Sequence, residues 1–160
     1  MKRYGTCVAV VFVMLCLLAG TASSVVAKAK PFETLSYENI EELLKGNRGK
    51  VVMINFFASW CPPCREEVPS LIQLRKEFRE DELLLIGASL DESEKDLLAY
   101  MAKTPFNYPI KKAGQDLVYA AGVSGIPHML AFDGKGEVIL NQAGLIPENK
   151  LRNFLKAQME

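Results

Sequence analysis

The residues best suited to chemistry in this sequence are two cysteines, Cys61 and Cys64, separated by Pro62 and Pro63. An apolar run precedes them and an amphipathic stretch follows, which predicts that the pair lies in the first turn of a helix. Cysteines at this spacing can bring their sulfurs to disulfide distance, and a helix N-terminus favours the thiolate of the outer one. We therefore expect Cys61 to attack a disulfide and Cys64 to resolve the mixed disulfide that forms. The prolines stiffen the helix start, where a missing N–H costs little.

Two other uses of the pair remain open from the residues alone, a structural disulfide and half of a zinc site. Zinc would need two further ligands at comparable spacing. The other cysteines are Cys7 and Cys16, and His128 is the single histidine of the sequence. Because both of those cysteines lie in a segment typical of export signals, the pattern favours redox chemistry, and we expect no resident metal and no cofactor.

The first 29 residues have the composition of a signal peptide. Lys2 and Arg3 are followed by an uncharged run over 4–27 with an almost wholly apolar centre. Small residues suited to cleavage follow at 22–24 and at 27–29, which would leave 30–160 as the folded domain. The run also approaches the ~20 residues that span a bilayer, so an uncleaved N-terminal membrane anchor is the alternative. Either outcome predicts a periplasmic or other extracytoplasmic location.

Charge and cysteine content narrow the classes of function. The chain has 160 residues, with 19 Lys and Arg against 19 Asp and Glu, and no basic block beyond the predicted signal. This balance argues against nucleic acid or an anionic membrane surface as a partner. A domain of about 130 residues can build its own core, so the two cysteines left after export need not act as structural staples. We expect one compact, monomeric domain.

Buried strands alternate with amphipathic helices along the chain, which predicts an α/β layer fold. Strands are predicted at 32–35, 51–57, 83–88, 108–110, 128–132 and 138–142, and helices at 37–45, 62–79, within 90–104, at 116–121 and from 147 onward. The strand at 51–57 is nearly continuous in apolar residues and should be central. In the helix within 90–104, Leu97, Leu98 and Met101 are expected to face inward.

Two blocks of this sequence resemble those of the TlpA/ResA-like thioredoxins, a CcmG/DsbE-related family of exported thiol-disulfide oxidoreductases. The first block is Val52 to Pro69, which contains Trp60-Cys61-Pro62-Pro63-Cys64, and the second is Val123 to Pro127 followed by 130–133 and Gly136. The resemblance implies a thioredoxin fold, with a mixed central sheet flanked by helices and a helical insertion between the two blocks.

The resemblance also assigns residues that would bind substrate. Pro127 matches the cis-proline that faces the two cysteines in thioredoxin folds, and the backbone of Ile126 would pair with an extended stretch of substrate. Trp60, with Pro62 and Pro63, would contact substrate at the rim of the same groove. For Trp60, simple packing against the helix start is the alternative.

One polar residue, Glu67, is a candidate catalytic group, and two others, Asn55 and His128, are candidate modulators. Asn55 matches the position at which cytoplasmic thioredoxins carry a buried acid, and its alternative role is that of a satisfied polar group in the core. Glu67 matches a glutamate of the family and is the candidate proton acceptor for Cys64, with an exposed glutamate that favours the helix dipole as the alternative. His128 departs from the family pattern. It could stabilise the thiolate or complete a soft-metal site, but we expect its side chain to point away along the strand.

The leading functional hypothesis is a reductase that passes electrons from a membrane dithiol donor to disulfides in exported proteins, with apocytochrome c a candidate substrate. One alternative is a copper-handling protein that uses Cys61, Cys64 and His128, for which Cu(I) binding should fail in His128→Ala. A thiol peroxidase is a third hypothesis, testable by peroxide turnover. The helix predicted at 37–45 stands where the closest cytochrome-maturation members commonly have a β-hairpin, which leaves the specific subfamily open.

Overall fold

The structure is a computed structural model and describes residues 32–159. The predicted signal segment, with Cys7 and Cys16, lies outside the described residues. The strands are β1 (Thr34–Leu35), β2 (Val51–Phe57), β3 (Leu83–Ser89), β4 (Ile110–Ala113), β5 (His128–Phe132) and β6 (Val138–Ala143). The helices are α1 (Tyr37–Gly46), α2 (Pro62–Glu77), α3 (Glu94–Met101), α4 (Gln115–Ala120) and α5 (Glu148–Met159).

The six strands form one mixed sheet in the order β1-β4-β3-β2-β5-β6. The inner strand β2 runs parallel to β3 and antiparallel to β5. All seven residues of β2 are buried, as its continuous apolar run predicts for a strand covered on both faces. Because β2 ends directly before the two cysteines, the best-buried strand of the sheet determines where they lie.

Helices cover both faces of the sheet, and successive side chains of β2 alternate between them. On one face Met53 packs with Leu71 of α2 and Leu151 of α5. On the other face Ile54 and Phe56 belong to a second cluster. That cluster also holds Ile40 of α1 and Leu117 of α4. The predicted α/β thioredoxin architecture, with its helical insertion between β3 and β4, is therefore confirmed.

The N-terminal helix is also confirmed, and its start follows from a capping box. Ser36 accepts a hydrogen bond from the backbone N–H of Asn39 at 3.3 Å, and the Asn39 side chain accepts one from the N–H of Ser36 at 3.3 Å. The carboxylate of Asp116 accepts a hydrogen bond from the N–H of Tyr37 at 2.7 Å, which joins α1 to the start of α4.

Two details of the insertion differ from the prediction. Leu97 is fully buried, but Leu98 is 46% exposed and does not face inward. The helix α3 has only eight residues and buries one narrow stripe, and Leu98 follows Leu97 by about 100° around the axis, which turns it away. Strand β4 begins at Ile110 instead of 108. No helix within residues 32–159 has the length and apolar content needed to cross a membrane.

Gly87 in β3 allows three side chains to approach the sheet closely. A Cβ atom at this position would lie 2.5 Å from Cδ1 of Ile110, 3.0 Å from the ring of Phe57 and 3.3 Å from the ring of Tyr108. Aliphatic and aromatic groups thus occupy the space that any larger residue would need, which explains why a glycine interrupts an otherwise apolar strand.

We predict that Gly87→Ala lowers the free energy of unfolding by about 1–3 kcal/mol, because three packed side chains must move to accommodate the added methyl group. The measurement is urea unfolding of the oxidised protein. Gly46→Ala is the matched control, since nothing lies within 4 Å of a Cβ atom built at Gly46. Equal stability changes in the two variants would contradict the packing argument.

Candidate active site

Cys61 and Cys64 lie at the start of α2, directly after the chain leaves β2. They form a disulfide with Cα atoms 5.3 Å apart. Cys61 is the N-cap residue of the helix, and its sulfur accepts a hydrogen bond from the backbone N–H of Cys64 at 3.3 Å. The spacing therefore places the first sulfur at one of the free N–H groups of a helix N-terminus, where a negative charge is favoured.

Both cysteines are buried in the oxidised protein. Cys61 is 3% exposed and Cys64 is 1% exposed. They pack in an apolar cluster with Phe57, Ala58 and Leu97, with Ile126 at its edge. Desolvation by this cluster disfavours a thiolate, whereas the N–H of Cys64 favours one, so the two effects oppose each other at Cys61.

The loop before β5 faces the disulfide. The Ile126–Pro127 peptide bond is cis, and the carbonyl oxygen of Ile126 lies 3.7 Å from Sγ of Cys61. A disulfide sulfur carries no proton, so this contact is packing and not a hydrogen bond. Within residues 32–159 no hydrogen bond engages the backbone N–H of Ile126. The structure thus brings Ile126 and Pro127 to the dithiol, as the resemblance implied.

Around the disulfide, the surface carries the other residues predicted to contact substrate. Trp60 is 66% exposed, and Pro62 and Pro63 are exposed beside it. The alternative for Trp60, packing against the helix start, does not match this exposure. The exposed indole of Trp60, one residue before Cys61, can therefore contact an incoming molecule.

Asn55 of β2 and Glu67 of α2 form a buried polar pair between the sheet and the helix. The side-chain amide of Asn55 donates a hydrogen bond to Oε2 of Glu67 at 2.8 Å, and the backbone N–H of Ile146 donates one to Oε1 at 3.0 Å. Glu67 is 2% exposed, so the alternative of an exposed glutamate at the helix start is wrong. Oδ1 of Asn55 is buried and has no partner among the described residues, so Asn55 is only half satisfied.

His128 points away from the dithiol, as expected. Its Nε2 lies 2.5 Å from Oδ1 of Asn141, whose own amide donates to the carbonyl of Ala121 at 3.1 Å, and its ring meets Phe56 edge-on at 5.9 Å. Within residues 32–159 no three His, Cys, Asp or Glu side chains are grouped so that they could hold a metal ion. The histidine that the copper alternative requires is hydrogen-bonded to Asn141 in this structure.

Sequence reasoning missed two features near the cysteines. The guanidinium of Arg65 lies 5.8 Å from the ring centre of Tyr100 in α3, which links the insertion to the active-site helix. Asp91 is a buried carboxyl group that accepts hydrogen bonds from Ser59, two residues before Cys61. The sequence did contain a signal for this contact, because Asp91 is an acidic residue shortly after β3. Since β2 and β3 are parallel, they end at the same edge of the sheet, which is where the cysteines lie.

The family model described as the AhpC/TSA family matches residues 25–139. The chain belongs to this family. It is 30% identical over 131 residues to the thioredoxin-like protein YneN of Bacillus subtilis, covering 80% of this chain and 71% of YneN. It is 27% identical over 125 residues to the thiol-disulfide oxidoreductase ResA of Halalkalibacterium halodurans, covering 78% of this chain and 70% of ResA.

Solved structures agree with these relatives. A thiol:disulfide interchange protein of Chlorobium tepidum is 28% identical and superimposes with a TM-score of 0.66 over 72% of this chain and 84% of that one. A putative thiol:disulfide interchange protein DsbE of the same organism is 26% identical, with a TM-score of 0.67 over 73% and 85%. The protein is a thiol-disulfide oxidoreductase of the ResA/DsbE type, and its one disulfide among the described residues is Cys61–Cys64.

In this oxidoreductase the pKa of Glu67 is raised. Burial is the larger cause, and the hydrogen bonds from Ile146 and Asn55 partly oppose it. A carboxyl group with a raised pKa can take up or release a proton nearer to neutral pH than an exposed one. Both of its oxygens are held by Asn55 and Ile146, so the group is fixed in place on the same helix as Cys64.

The raised pKa of Glu67 predicts a pH dependence of stability. Between the ordinary pKa of 4.5 and the raised one, the folded state binds more protons than the unfolded state. The free energy of unfolding therefore falls as pH rises through that window, by about 1.4 kcal/mol for each unit by which the pKa is raised. Glu67→Gln should remove this fall, which urea unfolding of the oxidised protein at a series of pH values would measure.

The control for that prediction is Glu66→Gln, which alters an exposed glutamate one residue away. Its pH profile should match that of the unaltered protein. If Glu67→Gln also kept the original profile, the carboxyl group of Glu67 would not titrate as its burial requires.

Proposed function

We propose that this protein is an extracytoplasmic reductase that passes electrons from a membrane dithiol donor to disulfides in exported proteins, with apocytochrome c the candidate substrate. The observation that supports this most strongly is the disulfide at the N-terminus of α2, buried in an apolar cluster and facing Ile126. A helix-terminal cysteine pair with a peptide-binding loop opposite it is suited to thiol-disulfide exchange on another protein.

The cycle begins with the reduced pair. The thiolate of Cys61 attacks one sulfur of the target disulfide, which forms a mixed disulfide and releases the other target sulfur as a thiolate. Cys64 then loses its proton and attacks Sγ of Cys61, which releases the target as a dithiol and leaves the Cys61–Cys64 disulfide. Two electrons have passed to the target. The dithiol of the donor regenerates the reduced pair by the same two steps in reverse order.

Glu67 is the group best placed to take the proton of Cys64. It follows Cys64 by three residues in α2, so the two side chains share a helix face, and both are buried. Its raised pKa brings its proton affinity closer to that of a thiol. Asn55 holds the carboxyl group from β2 through the 2.8 Å hydrogen bond and contributes no charge of its own.

Substrate would bind across the disulfide in an extended form. The backbone of Ile126 would pair with main-chain groups of the target, which gives affinity with little demand on its sequence. Trp60, Pro62 and Pro63 supply an exposed apolar border on the other side of the disulfide. This arrangement suits a protein that must act on more than one exported target.

The surroundings of the sulfurs support the proposed direction of electron flow. Oxidants of this class owe their high potential to a strongly stabilised reduced form. Here the sulfur of Cys61 has one backbone N–H at 3.3 Å and otherwise packs against apolar side chains. Weak stabilisation of the thiolate favours the disulfide and makes the reduced pair a good donor of electrons.

The location and the partners rest on the sequence. The apolar run at 4–27 after Lys2 and Arg3 would export the domain of residues 30–160, either cleaved or retained as an anchor. The donor would then be a membrane dithiol, because thiols outside the cytoplasm have no soluble reducing pool. A relative, HelX of Rhodobacter capsulatus, is described as a thiol:disulfide interchange protein, which fits exchange with other proteins.

The cycle predicts different behaviour for the two cysteine variants. Cys64→Ser should accumulate a covalent adduct with a disulfide substrate, because the mixed disulfide cannot be resolved. Cys61→Ser should form at least about tenfold less, since Cys64 is the more buried sulfur and lacks the helix N-cap position. Non-reducing electrophoresis of the full chain, pre-reduced and then mixed with substrate, would measure both.

The substrates for this experiment separate the general from the specific part of the proposal. One is an oxidised peptide with the Cys-X-X-Cys-His pattern of c-type haem attachment, and the other is oxidised insulin. Adducts with both support a general reductase, and adducts with the peptide alone support apocytochrome c. No adduct with either would contradict the proposed function.

A further inference from the structure

We infer that Asp91 is a positioning residue for the dithiol, which holds the turn before α2 so that Cys61 meets the helix N-terminus. This inference rests on the thiol-disulfide exchange proposed above. Asp91 follows β3 and is 2% exposed. It lies in neither of the two blocks that resemble the family, and the exchange cycle does not use its carboxyl group. A buried carboxyl group needs a compensating set of hydrogen bonds, and here the set points at the active-site turn.

The carboxyl group binds Ser59 through both backbone and side chain. The N–H of Ser59 lies 3.2 Å from Oδ1 and 3.0 Å from Oδ2 of Asp91, and the hydroxyl of Ser59 donates to Oδ1 at 2.5 Å. Ser59 precedes Cys61 by two residues. The carboxyl group therefore holds both the backbone and the side chain of Ser59.

The other side of the carboxyl group is fixed to the end of β3. The hydroxyl of Ser89 donates to Oδ2 of Asp91 at 2.7 Å, and the backbone N–H of Asp91 donates back to the same hydroxyl oxygen at 3.0 Å. The N–H of Leu90 donates to the carbonyl of Phe57 at 2.8 Å. Asp91 is thus anchored to the sheet, and every partner of its oxygens is a donor, which an amide at this position could not match.

The turn held in this way is the one that delivers Cys61. The N–H of Cys61 donates to the carbonyl of Ala58 at 3.2 Å, so 58–61 form one turn with Ser59 inside it. Cys61 has extended backbone geometry at the N-cap, and its sulfur reaches the N–H of Cys64 only in that orientation. A turn that moves away from Asp91 would carry the sulfur away from the N–H that favours its thiolate.

Positioning and charge have opposite effects on Cys61, which makes the inference testable. If Asp91 acted through its negative charge, removing the charge would favour the thiolate and lower the pKa of the Cys61 thiol. If it acts through the turn, removing its hydrogen bonds weakens the N-cap contact and raises that pKa. Ser59→Ala alters the same turn without altering any charge, so it reports the positioning effect alone.

The experiment measures the pKa of the Cys61 thiol in the reduced full chain. The rate of alkylation by iodoacetamide is followed against pH, with fragment mass spectrometry to separate Cys61 from the other cysteines. We expect Asp91→Asn to raise the midpoint by about half a pH unit, so that alkylation below the midpoint slows roughly threefold. Ser59→Ala should shift it in the same direction by a smaller amount, because the N–H of residue 59 still reaches Asp91.

The matched control is Asp133→Asn. Asp133 also accepts hydrogen bonds from two backbone N–H groups, those of Lys135 and Glu137, but it lies in the β5–β6 hairpin at the opposite end of β2. It reports what the loss of a turn-forming carboxyl group does to the whole protein. Its midpoint should equal that of the unaltered chain.

Two outcomes would overturn the inference. The first is a lower midpoint in Asp91→Asn with no change in Ser59→Ala, which would assign a charge effect. The second is an unchanged midpoint in both variants with reduced thermal stability, which would assign a purely structural role. Should Asp91→Asn fail to fold, Ser59→Ala still decides between these results. Alkylation needs no substrate, so a missing adduct in the exchange assay would refute the proposed function, whereas an unchanged or lowered midpoint would refute the positioning role, and the two failures are distinguishable.

Discussion

The chemistry of this protein depends on one contact, the hydrogen bond from the backbone N–H of Cys64 to the sulfur of Cys61. It exists because β2 ends one turn before α2 and Cys61 takes the N-cap position, where a helix leaves N–H groups without partners. The central strand, the turn at 58–61 and the stiff Pro62-Pro63 start of the helix all serve to place that sulfur. A small apolar cluster that includes Phe57, Ala58 and Leu97 covers it.

Burial and ionisation oppose each other throughout the site. The apolar cluster around the cysteines disfavours any thiolate, and the same low polarity raises the pKa of Glu67 beneath them. Asn55 relieves part of the cost for Glu67 but leaves its own Oδ1 without a partner among the described residues. Few groups of such a site are charged at the same time. This suits a cycle in which a proton passes from a thiol to a nearby acceptor.

Local sequence signals predicted most of the elements. The apolar run at 51–57 and the amphipathic stretch at 37–45 each specify structure within a few residues, and the buried strand and the helix predicted there both proved correct. The prediction that Leu98 of α3 faces inward was wrong, because the residues alone did not reveal how short that helix is. The start of β4 was wrong by two residues, because its pairing with β3 begins at Ile110, opposite Gly87, and this register joins segments that are distant in sequence.

The candidate site was predictable to the extent that its residues are close in sequence. The two cysteines and their helix follow from a single motif, whereas the cis peptide at Pro127 and the position of Ile126 came from family resemblance. Asp91 was missed because its partners, Ser59 and Ser89, are joined only by the register of β2 and β3. The partner of His128 was equally hidden, since Asn141 lies across an antiparallel pair.

The reduction potential of the Cys61–Cys64 pair tests the central claim most directly, because the claim is that a buried, weakly stabilised thiolate makes this protein a donor of electrons. The full chain would be equilibrated against defined thiol-disulfide buffers and its oxidised fraction measured. We expect a potential near or below about −250 mV, in the range of reducing thioredoxins. A value near about −120 mV, that of a strong disulfide-forming oxidant, would contradict it.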